Sequence, residues 1–352
     1  MTGIITGVGH YIPTKTISNL FFDQHVFLDE KGQALKQDNA TIADKLKEIT
    51  GIEERRYAEN HEVTSQLGFY AAKAAIEDAG IDAETLDYII FAHNFGDISF
   101  GTVQSDMVPS LASRVKHLLN IENNFCVAYD LLFGCPGWVE GVIQANAFLK
   151  AGIAGKCLII GAETLSRVVD IHDRDSMIYA DGAGAVILEI GNESAGIKSH
   201  VSASYTQKEN EYLYFGKSYN DKKCPDIKYI KMNGRRIYEF ALTNVPQAMK
   251  KCFDQSGYSI DQLDKIIIHQ ANEKMDEAIV SRFYQLYGLE MPKDIMPMVI
   301  GKLGNSRVAT IPTLLGMILK GELPNHAINK GNVVLFASVG AGMNINAFVY
   351  EF

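Results

Sequence analysis

Cys135 is the side chain in this sequence best placed for nucleophilic chemistry. It sits in Phe133-Gly134-Cys135-Pro136-Gly137-Trp138, and an apolar, small-residue stretch follows from Val139 to Leu149. The pattern predicts a turn that delivers the thiol to the first turn of a buried helix. A helix N-terminus offers unpaired N–H groups and roughly half a positive charge. Both favour thiolate over thiol, and the thiolate is the reactive form. Alone, the residue has a plainer explanation, because free cysteine is among the most buried residue types. Two other side chains bear on the choice. His269 closes the run Ile266-Ile267-Ile268, at the C-terminal end of an expected strand, where α/β active sites gather. Asn305 stands in Gly304-Asn305-Ser306, which by itself reads as a turn.

The elements that must position these residues alternate between short apolar runs and helical patterns. Strands are expected at Gly3–Val8, Tyr88–His93, Cys126–Leu131, Cys157–Gly161, Gly184–Ile190, Lys265–His269, Val333–Ser338 and Ile345–Tyr350. Helices are expected at Ser65–Asp78, Val139–Leu149, Ile237–Gln255, Glu273–Tyr287 and Ile311–Leu319. This is an α/β pattern. It also repeats. Gly80-Ile81-Asp82 through Ile89-Ile90 resembles Gly257-Tyr258-Ser259 through Ile266-Ile267. Phe133-Gly134-Cys135 aligns with Leu303-Gly304-Asn305, and Ala185 to Glu189 with Ala347 to Glu351. Three matches in one order, with a slowly drifting offset, indicate two similar α/β halves, 1–190 and 191–352. The duplication pairs Cys135 with Asn305, each opening an equivalent helix, and puts His269 at the position of Ala92. Halves packed about a pseudo-twofold axis would let the three converge.

Composition narrows the function. The net charge of −9 argues against nucleic acid as a partner. The N-terminus lacks a basic region and cleavage site, so no signal peptide is expected. No apolar run approaches the ~18–20 residues of a membrane helix. The cysteines at 126, 135, 157, 224 and 252 are odd in number and form no CxxC, so neither a zinc site nor a disulfide framework is expected. A reducing cytoplasm is the expected compartment. Cys126, Cys157 and Cys252 read as packing residues and Cys224 as an exposed loop thiol. Asp181-Gly182-Ala183-Gly184 lacks a following Lys-Ser/Thr and leads into a strand, which speaks against a nucleotide loop.

Several motifs then combine. They are Thr50-Gly51-Ile52 with Glu54-Arg55, Phe133-Gly134-Cys135-Pro136-Gly137 and Asp181-Gly182-Ala183-Gly184-Ala185. With them come His269-Gln270-Ala271-Asn272, Gly304-Asn305-Ser306 with Ile311-Pro312, and Gly340-Ala341-Gly342. In this order and spacing the chain resembles, over essentially its whole length, the ketoacyl-ACP synthase III members of the thiolase superfamily. The resemblance implies a five-layered αβαβα fold, a homodimer and a catalytic triad of Cys135, His269 and Asn305. It implies an oxyanion hole from the backbone N–H groups of Cys135 and Ala341. It implies decarboxylative Claisen condensation: an acyl thioester acylates Cys135, malonyl-ACP loses CO2, and the enolate attacks the acyl-enzyme to give a β-ketoacyl-ACP. No cofactor is implied beyond CoA or ACP phosphopantetheine thioesters. His269 and Asn305 would donate hydrogen bonds to the oxygen that gains charge, each worth about 2.7–4 kcal/mol.

Departures from the family pattern carry expectations of their own. The tryptophan that would stack the CoA adenine is replaced by Lys45, while Arg174 fits its arginine partner; either CoA or ACP is left open as donor. Lys45, Arg174 and Asn272 are the expected substrate-binding residues. At the dimer-contributed end of the acyl pocket Val108 stands where some members carry Phe, which suggests a primer longer than acetyl. Val339 stands where a Phe is expected before the Gly-Ala-Gly turn. The segment from Asn94 to Met107 reads as a gating loop. Lys274 matches a basic ACP-docking position, with Lys45, Lys47, Arg55, Arg56, Lys231, Arg235 and Arg236 as further docking candidates. Competing readings are a specialised-pathway paralogue for polyketides or dialkylresorcinols, an acyltransferase without decarboxylation, and a silent partner subunit.

Overall fold

The computed structural model describes residues 2–191, 195–220 and 226–352; Cys224 lies outside the described residues. In chain order the N-terminal part holds β1 (Thr2–Tyr11), β2 (Lys15–Ser18), α1 (Asn39–Thr50), β3 (Glu54–Tyr57), α2 (Thr64–Ala79) and β4 (Tyr88–Ala92). It continues with α3 (Leu111–Leu118), β5 (Val127–Leu131), α4 (Gly137–Lys150), β6 (Lys156–Thr164) and β7 (Asp181–Gly191). Then come β8 (Gly196–Ser204), β9 (Leu213–Lys217), β10 (Lys228–Met232), α5 (Gly234–Ser256), β11 (Leu263–Ile268) and α6 (Glu273–Gln285). Last are α7 (Ile300–Leu303), α8 (Thr310–Leu319), β12 (Val333–Gly340) and β13 (Asn344–Glu351).

Two sheets follow one plan. The first runs β1-β7-β6-β4-β5 and the second β8-β13-β12-β11. In each, the first strand pairs antiparallel with the last, the last pairs antiparallel with its predecessor, and the next pairing is parallel. The helices before β4 and β11 end alike: Gly80 and Gly257 take left-handed φ of 63° and 83°, a conformation that suits glycine at a helix end. Helices α4 and α8 lie between the sheets, α2 and α3 cover the first, and α5 and α6 cover the second. The result is an αβαβα sandwich. Its central core joins Trp138, Val142, Leu314 and Leu315 to Ile90, Phe336 and Phe348. Sheet residues buried on both faces explain the near-continuous apolar runs of β6 and β12.

Periodicity left some elements unread. Helix α1 is short and polar on most sides, and is fixed by its ends: Asp38 accepts from Thr41 N at 2.8 Å and Gly51 closes it with φ 77°. The β9–β10 hairpin and β8 were also not expected, because their exposed residues break the alternation. The expected gating loop is tied down: Asp97 and Asp106 bridge through the backbone, and Arg114 pairs with both carboxylates at 2.8 and 2.7 Å. Among the described residues no helix is long and apolar enough to cross a membrane.

Close backbone packing sets the spacing of α2 on the first sheet. A Cβ on Gly9 would lie 2.2 Å from the Ala71 carbonyl oxygen and 2.5 Å from the Ala75 nitrogen. We expect Gly9→Ala to destabilise the protein by about 1–3 kcal/mol, as overpacked cores do. Gly234→Ala, which faces open space, should cost nothing measurable. Urea midpoints of the two variants check this.

Candidate active site

Cys135 lies one step outside the helix it was expected to open. Gly137 begins α4, Pro136 holds the cap position, and Cys135 precedes both. The turn is made by Gly134, at φ 68°. The sulfur still meets donors, because the N–H groups of Cys135 and Ala341 both hydrogen-bond toward it. Ala341 reaches it from the other sheet, just past the end of β12. A Cβ on Gly134 would sit 2.8 Å from Ala341 N, and one on Gly340 would sit 2.5 Å from Cys135 N. Only glycine at both positions lets the two segments touch here. Burial pushes the thiol up and a nearby guanidinium, Arg307, opposes it.

His269 is the residue after β11. Its backbone N–H donates to Ala337 O at 2.9 Å, which carries the strand pairing one residue further. The ring is buried and its Nδ1 has no hydrogen-bond partner among the described residues. Burial, and then Arg307, push its pKa down to about 3. The imidazole is therefore neutral at physiological pH, with one donor and one acceptor.

Asn305 is threaded between two residues of the neighbouring segment. Its N–H donates to Ile178 O at 3.0 Å, and its carbonyl accepts from Ala180 N at 2.9 Å. The side-chain Oδ1 accepts from Arg307 N at 2.8 Å. That occupies the acceptor and leaves the amide NH2 to offer a ligand. Asn305 stands two residues before a 3-10 turn, Arg307–Ala309, that runs into α8. Cys135 stands two residues before α4, so the two are placed alike.

One turn ties the three segments together. The Arg307 backbone hydrogen-bonds the His269 ring as well as Asn305. Val308 packs on the start of α4, where a Cβ on Gly137 would lie 3.4 Å from its Cγ2. Two charged residues that sequence reasoning missed are buried here. Arg307 is 3% exposed, with its guanidinium 5.3 Å from the Tyr179 ring centre and 5.8 Å from that of Phe95. Glu163 is the penultimate residue of the buried strand β6, takes a hydrogen bond from Asn94, and is pushed up to about 7 by burial. The available signals were a charge directly ahead of the apolar run of α8 and another inside the apolar run of β6.

Lys45, Arg174 and Asn272 come together on one cavity of about 800 Å³. Lys31, Arg235 and Tyr238 share its walls. Ile178 lines it too, so it abuts the segment paired with Asn305, and Asn272 lies three residues beyond His269. Asn272 also caps α6, accepting from Met275 N at 2.9 Å.

Other expected residues stand elsewhere. Val339 packs with Met343 and Ile345, on the face of β12 turned toward α5 and α6, and does not line the cavity. Val108 is 87% exposed in the single chain. Lys274 is exposed beside the cavity helices, 3.7 Å from Glu48. Two docking candidates are corrected. Arg55 is wholly buried on Ile17 O and Asn19. Lys231 is buried between Asp170 and Asp173 at 2.7 and 2.9 Å. A surface partner meets neither. Asp181 accepts from Ala58 N and Ser166, so it braces the floor of the fold.

Comparison with known proteins gives the following. Residues 129–205 match the family model described as 3-oxoacyl-[acyl-carrier-protein] synthase III, and residues 253–352 match the model of its C-terminal part. A β-ketoacyl-[acyl-carrier-protein] synthase III of Staphylococcus haemolyticus is 31% identical over 348 residues, covering 99% of this chain and 98% of its own length. The protein of that name from Paracoccus denitrificans is 30% identical, covering 97% and 96%. The crystal structure of 3-oxoacyl-[acyl-carrier-protein] synthase III from Aquifex aeolicus aligns over the full length of both chains, with a TM-score of 0.81 and 26% identity.

The contact of Gly340 with Cys135 yields a prediction. Gly340→Ala should slow thioester acylation of Cys135 by about 10²-fold or more, the scale of losing one oxyanion donor. Single-turnover acylation followed by protein mass measures it, with circular dichroism to check the fold.

Proposed function

The chain belongs to the 3-oxoacyl-ACP synthase III family of condensing, acyl-transferring enzymes, and from that premise we propose that it catalyses decarboxylative condensation at Cys135. The observation that carries this reading is the pair of backbone N–H groups, from Cys135 and Ala341, that hydrogen-bond toward one sulfur.

The Cys135 thiolate attacks an acyl thioester carbonyl. A carbon–sulfur bond forms, and the carbonyl oxygen takes negative charge between the two N–H donors. Collapse breaks the donor's carbon–sulfur bond, and its thiolate leaves and takes a proton from solvent. Malonyl-ACP then enters through the cavity, where Lys45 and Arg174 attract its phosphopantetheine phosphate. Loss of CO2 leaves an enolate, held by the neutral His269 and the Asn305 NH2. The enolate carbon attacks the acyl-enzyme, and collapse expels the Cys135 thiolate and frees a β-ketoacyl-ACP. A neutral His269 suits this role, since it donates without supplying a proton that would quench the enolate. The chemistry calls for no cofactor beyond the thioesters. We further propose a cytoplasmic enzyme whose macromolecular partner is an acyl carrier protein docking at Lys274.

One experiment tests the sequence of steps. The protein is incubated with labelled acyl-CoAs and acyl-ACPs of several lengths, the modified residue is identified by mass, and malonyl-ACP is added while CO2 is followed. We expect an adduct on Cys135, CO2 release and a β-ketoacyl-ACP product. His269→Ala should cut CO2 release by about 10²–10³-fold while acylation persists, and Lys274→Glu should slow only the ACP-dependent steps. Absence of a Cys135 adduct with every donor sinks the reading.

A dimer is proposed on the edge of the first sheet. Among the described residues strand β5 is its unpaired margin, and Phe125, Val127 and Leu132 stand exposed along or beside it. A bare apolar edge invites a second copy of the strand, and such pairing would bring Val108 of each protomer toward the other's site. Val127→Asp should yield a monomer in light scattering where the wild type is a dimer; an unchanged mass refutes this interface.

A further inference from the structure

Three cations on the cavity wall, Lys31, Lys45 and Arg174, form no ion pair and no side-chain hydrogen bond among the described residues. For Arg174 this is unexpected, because Asp173 and Asp175 flank it in the chain and line the same cavity. Asp173 is engaged elsewhere. Lys231, on β10, has a side chain only 1% exposed, and its Nζ donates to Asp170 Oδ2 at 2.7 Å and to Asp173 Oδ2 at 2.9 Å. The same Nζ lies 3.4 Å from the centre of the Tyr219 ring. Asp170 also accepts from His172 N at 3.1 Å, Ser218 Oγ at 2.9 Å and Tyr219 N at 2.8 Å. Asp173 Oδ1 accepts from Asp175 N at 3.0 Å and so caps the 3-10 turn Arg174–Ile178. The far end of that turn is the residue whose carbonyl holds the Asn305 N–H.

From these contacts we propose that Lys231 is a positioning residue: by occupying Asp173 it leaves the Arg174 guanidinium for the phosphate of a phosphopantetheine thioester. The proposal rests on the reading of the cavity as the seat of that phosphate. A carboxylate as buried as Asp173 needs a cation, since an uncompensated buried charge costs several kcal/mol (~3–5). Two cations are at hand, Lys231 from β10 and Arg174 from the next position in the chain. While Lys231 holds the carboxylate, Arg174 has no protein anion to bind. Without Lys231, Asp173 draws Arg174 inward, and the ligand loses its strongest bidentate donor. The four groups already share one field. Burial, and then the charge of Asp173, push the Asp175 carboxyl up to about 6, while Arg174 and Lys231 pull it the other way. Lys231 does not itself line the cavity, so it acts on the ligand only through these neighbours.

The test is CoA binding by calorimetry, with CoA as the phosphopantetheine probe and urea unfolding to check each variant. Two double variants carry the same net charge and differ only in which carboxylate remains. Lys231→Met/Asp170→Asn leaves Asp173 bare and should weaken CoA binding by about tenfold or more, the scale of one lost charge-assisted contact. Lys231→Met/Asp173→Asn leaves Asp170 instead, keeps a side chain able to cap the turn, and should bind CoA within about threefold of wild type, the size of an ordinary surface effect. Arg174→Ala should weaken binding by about tenfold in the wild type and hardly at all in Lys231→Met/Asp170→Asn, because there Arg174 is already withdrawn. Equal binding by the two double variants overturns the proposal, as does an Arg174→Ala loss that is the same in both backgrounds. Wild-type affinity in Arg174→Ala itself removes the phosphate reading of the cavity, and the proposal with it. Failure of the condensing reading is separate: CoA binding then follows the expected pattern, yet Cys135 accepts no acyl group from any thioester.

Discussion

The site depends on one close approach, where the turn after β12 meets the turn before α4. Gly340 and Gly134 leave no room for a Cβ, so backbone lies on backbone and the Ala341 N–H reaches the sulfur of a residue from the other half. The proposed oxyanion hole, built this way, would be rigid. Both donors are main-chain groups at the ends of buried elements, β12 and α4, and nothing needs to reorganise as charge develops. The five layers serve that contact. They bring the C-terminal ends of two parallel strands, β4 and β11, and the two central helices to one level between the sheets. Duplication makes this natural, because the same turn in each half arrives at the same height. One copy supplies a sulfur and the other an amide.

Taking charge into such a place has a cost that the residues share unevenly. His269 loses its charged form and becomes a pure hydrogen-bonding group. Glu163 moves up into the neutral range. Arg307 cannot lose its proton, so it stays charged and its field falls on whatever lies nearest. In a dry interior this field is felt over several ångströms, with little screening by salt.

Much of this was legible in the sequence, and the reasons differ by residue. The resemblance carried the five-layered fold, and the repeat pointed the same way, because equivalent strands and helices reuse the same capping glycines, Gly80 and Gly257. It also singled out Asn305, which has no local signature of its own. Lys45, Arg174 and Asn272 were grouped by resemblance and share one cavity. What escaped was whatever depends on facing direction. Val339 alternates to the far side of β12, and Arg55 and Lys231 are drawn inward by partners distant in the chain. Arg307 escaped for a related reason. A lone arginine ahead of an apolar helix reads as a solvated cap, and only packing against Phe95 and Tyr179 turns it inward.

Under the proposed decarboxylation, a buried arginine beside the centre must also avoid doing harm. A cation gripping the malonyl carboxylate would stabilise the bound substrate more than the transition state, in which that carboxylate is becoming neutral CO2. Only interactions stronger in the transition state accelerate the step. The carboxylate therefore belongs away from Arg307, in surroundings that stabilise it poorly. The sulfur is different. In the proposed reaction the attacking sulfur is an anion, the acyl-enzyme a neutral thioester, and the departing sulfur an anion again. A fixed cation favours it at the start of the first half-reaction and at the end of the second. Too strong a field would make the thiolate a poor nucleophile, because nucleophilicity falls with pKa. At Cys135 burial outweighs that cation, so the thiol stays above its ordinary value.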